Sequence, residues 1–174
     1  MTRAFAVVSL LSLLALGCST EPGQQVAALS IPTSPTHIAL GAGPPRTGSG
    51  TATITSLEDV SSRSAGENVI KERRLSGTLS GALQGTFTEE VRGVIRDGRV
   101  TFEGTLQVTG AVSGCGEGTF MLGLNGEGTA GLFPVADARV RVIQHGSTTL
   151  RVGGHGTVHQ EGASMSYQIQ YTCQ

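Results

Sequence analysis

The sequence predicts an all-β protein, a closed eight-stranded antiparallel β-barrel that follows a signal peptide and a linker. Three observations predict it. From about residue 50 onward, apolar and polar residues alternate with period two, the mark of strands with one face in a core and one in water. Glycine is abundant, 26 of 174 residues, without the three-residue period of collagen. It comes with Thr, Ser and Val, which suit short strands joined by tight turns. Stretches rich in the helix formers Ala, Leu, Glu and Lys are missing from the second half.

The chain reads as three segments: 1–17, 18–49 and 50–174. Met1 to Arg3 gives a short positive start, and Ala4 to Leu16 is apolar apart from Ser9 and Ser12. That run is too short for a membrane span, which needs roughly 20 residues. It fits the core of a secretory signal. It ends in Ala15-Leu16-Gly17-Cys18, and this leader resembles that of bacterial lipoproteins, in which the cysteine receives lipid. The resemblance implies lipidation of Cys18 and a membrane anchor. Two acyl chains on one residue supply the two anchors that stable attachment requires, at about 0.8 kcal/mol per buried CH₂. The alternatives are an ordinary cleaved signal in which Cys18 is incidental, and an uncleaved anchor.

Ser19 to Gly50 reads as a linker. It holds Pro22, Pro32, Pro35, Pro44 and Pro45 of the six prolines, among many Gly, Ser and Thr. Such a composition buries too little apolar area to offset chain entropy. As a flexible coil it reaches roughly 30 Å on average.

Eight strands are expected in the body, at about 51–57, 68–80, 85–96, 99–109, 117–125, 137–145, 149–159 and 164–173. "VTFEGTLQV" sets Val100, Phe102, Leu106 and Val108 on one face, and "TFMLGLNG" does so with Phe120, Leu122 and Leu124. "ARVRVIQ" places Ala138, Val140 and Val142 opposite Arg139 and Arg141. "SMSYQIQYTC" alternates most cleanly, with Met165, Tyr167, Ile169, Tyr171 and Cys173 on one face. "RDGR" at 96–99 is a hairpin turn with Asp-Gly at its centre, and "HQEGAS" is another. Strands at such short, regular spacing suggest a sandwich or a barrel. Eight strands closed on themselves leave an interior that side chains just fill, or that holds one small ligand. Closure also removes exposed edges.

"LSGTLSGALQGTFTEE", "GTLQVTGAVSGCGEGTFML" and "TTLRVGGHGTVHQEGASMSYQIQY" resemble an uncharacterised bacterial domain family. It is marked by a G-x-G-x-F-x-L hairpin and a late G-x-G-T strand before an aromatic terminal strand, and it is similar in turn to the allene oxide cyclase barrel. The resemblance covers roughly residues 50 to 173. It implies a calycin-like closed barrel and carries over no catalytic residue.

Glu89 is the leading site candidate. In "GTFTEEVRGVI" it shares the face of Phe87, Val91 and Ile95, so the alternation points a carboxylate into an apolar barrel. Burial there raises its pKa and makes it a candidate acid, base or ligand anchor. By the same parity Lys71 and Arg73 share a face with Leu75, and either is a candidate partner for it. Arg73, Phe102, Phe120 and Tyr167 complete the expected lumen site. The alternatives are a bulge at Glu89-Glu90 or a place near an open mouth.

His145, His155 and His159 raise the question of a metal. His155 and His159 lie on one face of a strand, which also carries Arg151 and looks outward, and three or four ligands must converge to hold an ion. Surface histidines are the expectation, with no metal and no cofactor. Cys115 and Cys173 form either a disulfide, which an exported location permits, or two small thiols. A bond across so long a loop contributes about 4 kcal/mol on the chain-entropy account. Cys173 falls on the core face and Cys115 on the opposite parity, unless a Gly-rich bulge at Gly114 to Gly118 corrects it. "GCGEG" and "GGHG" lack the strand-to-helix context of a phosphate loop.

The net charge is −1 and 14% of residues are charged, which weighs against a nucleic-acid partner. No Gly-x-Ser-x-Gly elbow is present. The expectation is an exported, lipid-anchored bacterial envelope protein, on the periplasmic or extracellular side, whose barrel is a binding or interaction module for a small hydrophobic ligand. The alternative is a cyclase or isomerase acting on such a molecule inside the barrel.

Overall fold

A computed structural model describes residues 43–132, 134–143 and 148–174. Cys18, the leader and most of the linker lie outside them, as does His145. Eight strands follow one another round a closed barrel: β1 (Arg46–Ala65), β2 (Asn68–Gly81), β3 (Leu83–Arg96), β4 (Arg99–Val112), β5 (Gly116–Thr129), β6 (Ala136–Ile143), β7 (Val152–Glu161) and β8 (Ser164–Cys173). Each pairs antiparallel with the next, and β1 closes on β8. The described residues contain no helix.

The body begins earlier than its composition suggests. Arg46 to Ser49 belong to β1 and pair with Tyr171 to Gln168 of β8, so the linker boundary at residue 49 is corrected to before Arg46. The Gly and Ser here serve packing. A side chain at Gly50 would collide with the hydroxyl of Tyr167, so the missing Cβ lets β8's ring lie across β1.

Inward residues fill the barrel from one pole. Val108, Phe87, Phe120, Val112 and Val152 are almost fully buried and pack with Leu83, Leu122, Leu150, Tyr167 and Tyr171. This pole carries the β2–β3 and β4–β5 turns and both ends of the described body. Gly43 N–H donates to Cys173 O at 2.9 Å. Cys115 is bonded to Cys173. Cys115 sits in the β4–β5 turn, where its N–H donates to Val112 O at 2.9 Å, so strand parity does not govern its side chain.

Tyr167 and Tyr171 tie the same pole. The Tyr167 hydroxyl accepts from Leu83 N–H at 2.8 Å and donates to Ser80 O at 2.9 Å. The Tyr171 hydroxyl donates to Ser113 O at 2.9 Å. Each satisfies turn backbone that the core would otherwise leave unpaired.

The opposite pole is a mouth. β1 to β5 are longer than β6 to β8. The β5–β6 loop is tied across from β5 to β2, since Arg73 donates to Gly131 O at 3.0 Å. Closure is incomplete on this side: the β1–β8 ladder stops at Thr53 opposite Ser164, while the β1–β2 ladder runs on to Ala65.

Candidate functional site

Glu89 occupies the middle of β3, between Leu75 of β2 and Leu106 of β4. The register runs unbroken through Glu89 and Glu90 on both sides. No bulge turns the carboxylate away, and it points into the barrel with Phe87 and Val91. Two internal cavities of about 70 Å³ each meet at it. The lower is lined by Phe87, Leu106, Leu122, Val140 and Tyr167, the upper by Leu75, Val91, Ile95, Val100 and Arg73. Phe102 and Gln160 border both.

Glu89 is half-buried, with its exposed part facing these spaces. Among the described residues no hydrogen bond or ion pair reaches its carboxylate. Burial alone therefore sets its acidity, and pushes the pKa up to about 7. Near neutral pH the group is divided between a hydrogen-bond donor and an anion.

The expected cation does not partner it. Arg73 Nε donates to Asp59 Oδ1 at 2.7 Å, and Lys71 Nζ lies 3.7 Å from Asp59 Oδ2. Asp59 takes both because it stands directly opposite Arg73 in the β1–β2 ladder. The hydrogen bond and charge of Arg73 hold the Asp59 carboxyl below its usual value. The proposed pairing of Lys71 or Arg73 with Glu89 is thus corrected to Asp59, while both side chains still line the upper cavity.

The other expected site residues divide. Phe102 borders both cavities. Tyr167 lines the lower one, with its hydroxyl occupied by the β2–β3 turn. Phe120 is packed beneath, in the sealed pole, and borders neither. Two contributors escape the sequence reading. Gln160 lies on the inward parity of β7, and Asp59 sits beyond the bulge between Ile54 and Ser56. Parity within "TVHQE" was the signal for Gln160; Asp59 had none.

His155 and His159 lie on the outside of the barrel. His159 Nδ1 is 2.8 Å from Asp137 Oδ1, and His155 stands opposite Arg141 and Gln170 on the outer face. Among the described residues no cluster of His, Cys, Asp or Glu has the form of a metal site. Chemically, the cavities offer the unpaired Glu89 carboxyl and the Gln160 amide among largely apolar walls, with Lys71 and Arg73 at the upper cavity engaged by Asp59.

No family model matches the chain, and no curated protein does. A solved structure does: a protein of unknown function from the DUF3224 family of Shewanella oneidensis MR-1. It aligns with a TM-score of 0.56 at 19% identity, over 75% of this chain and 97% of that one. This chain is similar in fold to that bacterial protein of unknown function.

Proposed function

We propose that the protein is an exported envelope module, anchored to a membrane through lipid on Cys18, whose barrel binds one small and mostly apolar molecule at Glu89. One observation carries the lumen reading: a carboxyl without a partner among the described residues, set between two cavities in a largely apolar interior. A ligand with an apolar body and one hydrogen-bonding group fits that arrangement. The cavities are well below the roughly 300–1,000 Å³ of ordinary ligand pockets, so a molecule of a few heavy atoms suits them best. A single carboxyl can shuttle a proton in an isomerase, but the developing oxyanion then needs a donor, and Lys71 and Arg73 at the upper cavity are engaged by Asp59. The leader supports the address through its apolar core and terminal Gly17-Cys18.

Native mass spectrometry of the full chain isolated from its own host tests the lumen. A small molecule bound to the wild type and lost from Glu89→Leu supports the reading. Equal occupancy in both, or none in either, overturns it. Changing Cys18 to Ala should move the protein from the membrane fraction to the soluble one. Continued sedimentation with membranes would count against the anchor.

A further inference from the structure

β1 outruns its neighbour. Its last bond on the β8 side is from Ile54 N–H to Ala163 O, at 2.9 Å. Its ladder to β2 continues to Ala65 opposite Asn68. Residues 56–65 therefore present one edge without a backbone partner among the described residues. The two-residue turn Gly66–Glu67 makes Ala65 and Asn68 a hydrogen-bonded pair. Alternation along the ladder then turns the backbone groups of Ser64 and Ser62 to the open side. Such a row is a template for another strand.

We propose that this edge pairs with the same edge of a second copy, antiparallel, about a two-fold axis between Val60 and Ser61. That register sets Arg63 against the second copy's Glu58, and Ser62 against its Asp59. The charges are complementary. Among the described residues Arg63 has no ion pair, and Glu58 has only a loose one, 3.8 Å from Arg74. Both belong to the outer face: Glu58 lies by Arg74, and Ser61, two residues from Arg63, donates to Glu72 at 3.0 Å. The backbone phase also agrees. The bulge between Asp59 and Ser61 adds one residue, which turns Asp59 as well as Ser62 to the open side. Val60, 51% exposed, then flanks the axis, opposite the second copy's Ser61 and beside its own symmetric mate. Because the contact is isologous it closes at two copies.

Sedimentation velocity of the full chain in detergent, over a wide concentration range, tests this. The wild type sediments with the protein mass of two copies. Ser62→Pro removes an N–H that faces away from β2, so the barrel keeps its circular dichroism and the mass halves. Arg63→Glu weakens the pair by about tenfold, since two symmetric contacts turn repulsive, and adding Glu58→Arg restores it. A single-copy mass at every concentration overturns the proposal. So does a dimer that survives Ser62→Pro, or a charge reversal that the second substitution fails to rescue. If Ser62→Pro disturbs the fold, the charge pair decides alone.

Discussion

Arg73 reaches Asp59 at 2.7 Å on the neighbouring strand β1, and Glu89, which borders the same cavity as Arg73, is left without a cation among the described residues. The barrel thus holds a satisfied acid, Asp59, and an unsatisfied one deeper in, Glu89. Asp59 has its charge stabilised by Arg73, and Glu89 has its charge penalised by burial.

The first prediction concerns pH. Unfolded, Glu89 ionises near 4.5; folded, at about 7. Between those values the folded protein keeps a proton that the unfolded chain has released. Its contribution to stability is complete below 4.5, falls as pH rises to about 7, and stays low above that. The shift corresponds to roughly 3 kcal/mol at most, less whatever water in the cavities screens. Glu89→Gln should match the wild type near pH 4 and exceed it near pH 8. Urea titrations across that range measure it, and parallel curves for the two proteins would refute the buried, ionisable carboxyl.

The Tyr167 hydroxyl makes a different prediction. Tyr167→Phe keeps the ring and leaves Leu83 N–H, now inside the sealed pole, without its acceptor. An unsatisfied buried group costs about 1–3 kcal/mol. The loss should appear as a lower urea midpoint with an unchanged slope. An unchanged midpoint would show that water or another acceptor replaces the phenol.

Phe87 lies near the centre of the packed barrel at 2% exposure. Truncation to Ala should cost about 3–5 kcal/mol. It also enlarges the lower cavity, which Phe87 lines. Thermal melts with and without benzene check both points, since the variant alone should gain stability from the probe. Equal response of variant and wild type would mean that the barrel collapses into the space.

The bond between Cys115 and Cys173 joins the β4–β5 turn to the last strand. Removing both thiols, as Cys115→Ala with Cys173→Ala, should lower stability by about 2–5 kcal/mol. The wild type in reductant should fall to the level of the double variant. A melt unaffected by reductant, with no thiol released, would argue that the cysteines are unpaired in solution.

The barrel is legible in the sequence where one residue in two is apolar. β8 falls at 164–173 as the alternation in "SMSYQIQYTC" implies, and β4 and β5 differ only at their ends. Glu89 is legible for the same reason, since β3 carries its parity without a break. What is not legible comes from interruptions of period two. The shifts between Ile54 and Ser56 and between Asp59 and Ser61 re-phase β1, so no count from Thr51 reveals that Asp59 will meet Arg73. Cys115 is hidden for another reason: it stands in a turn, where parity has no meaning. Arg46 to Ser49 look like linker because their register comes from β8, more than a hundred residues away.

The sealed pole holds both Gly43 and Cys173, and the mouth lies at the other end of the strands. Whatever precedes Gly43 is therefore attached at the plug. In the proposed anchored form, the point of attachment and the entrance to the cavities therefore lie at opposite ends of the strands.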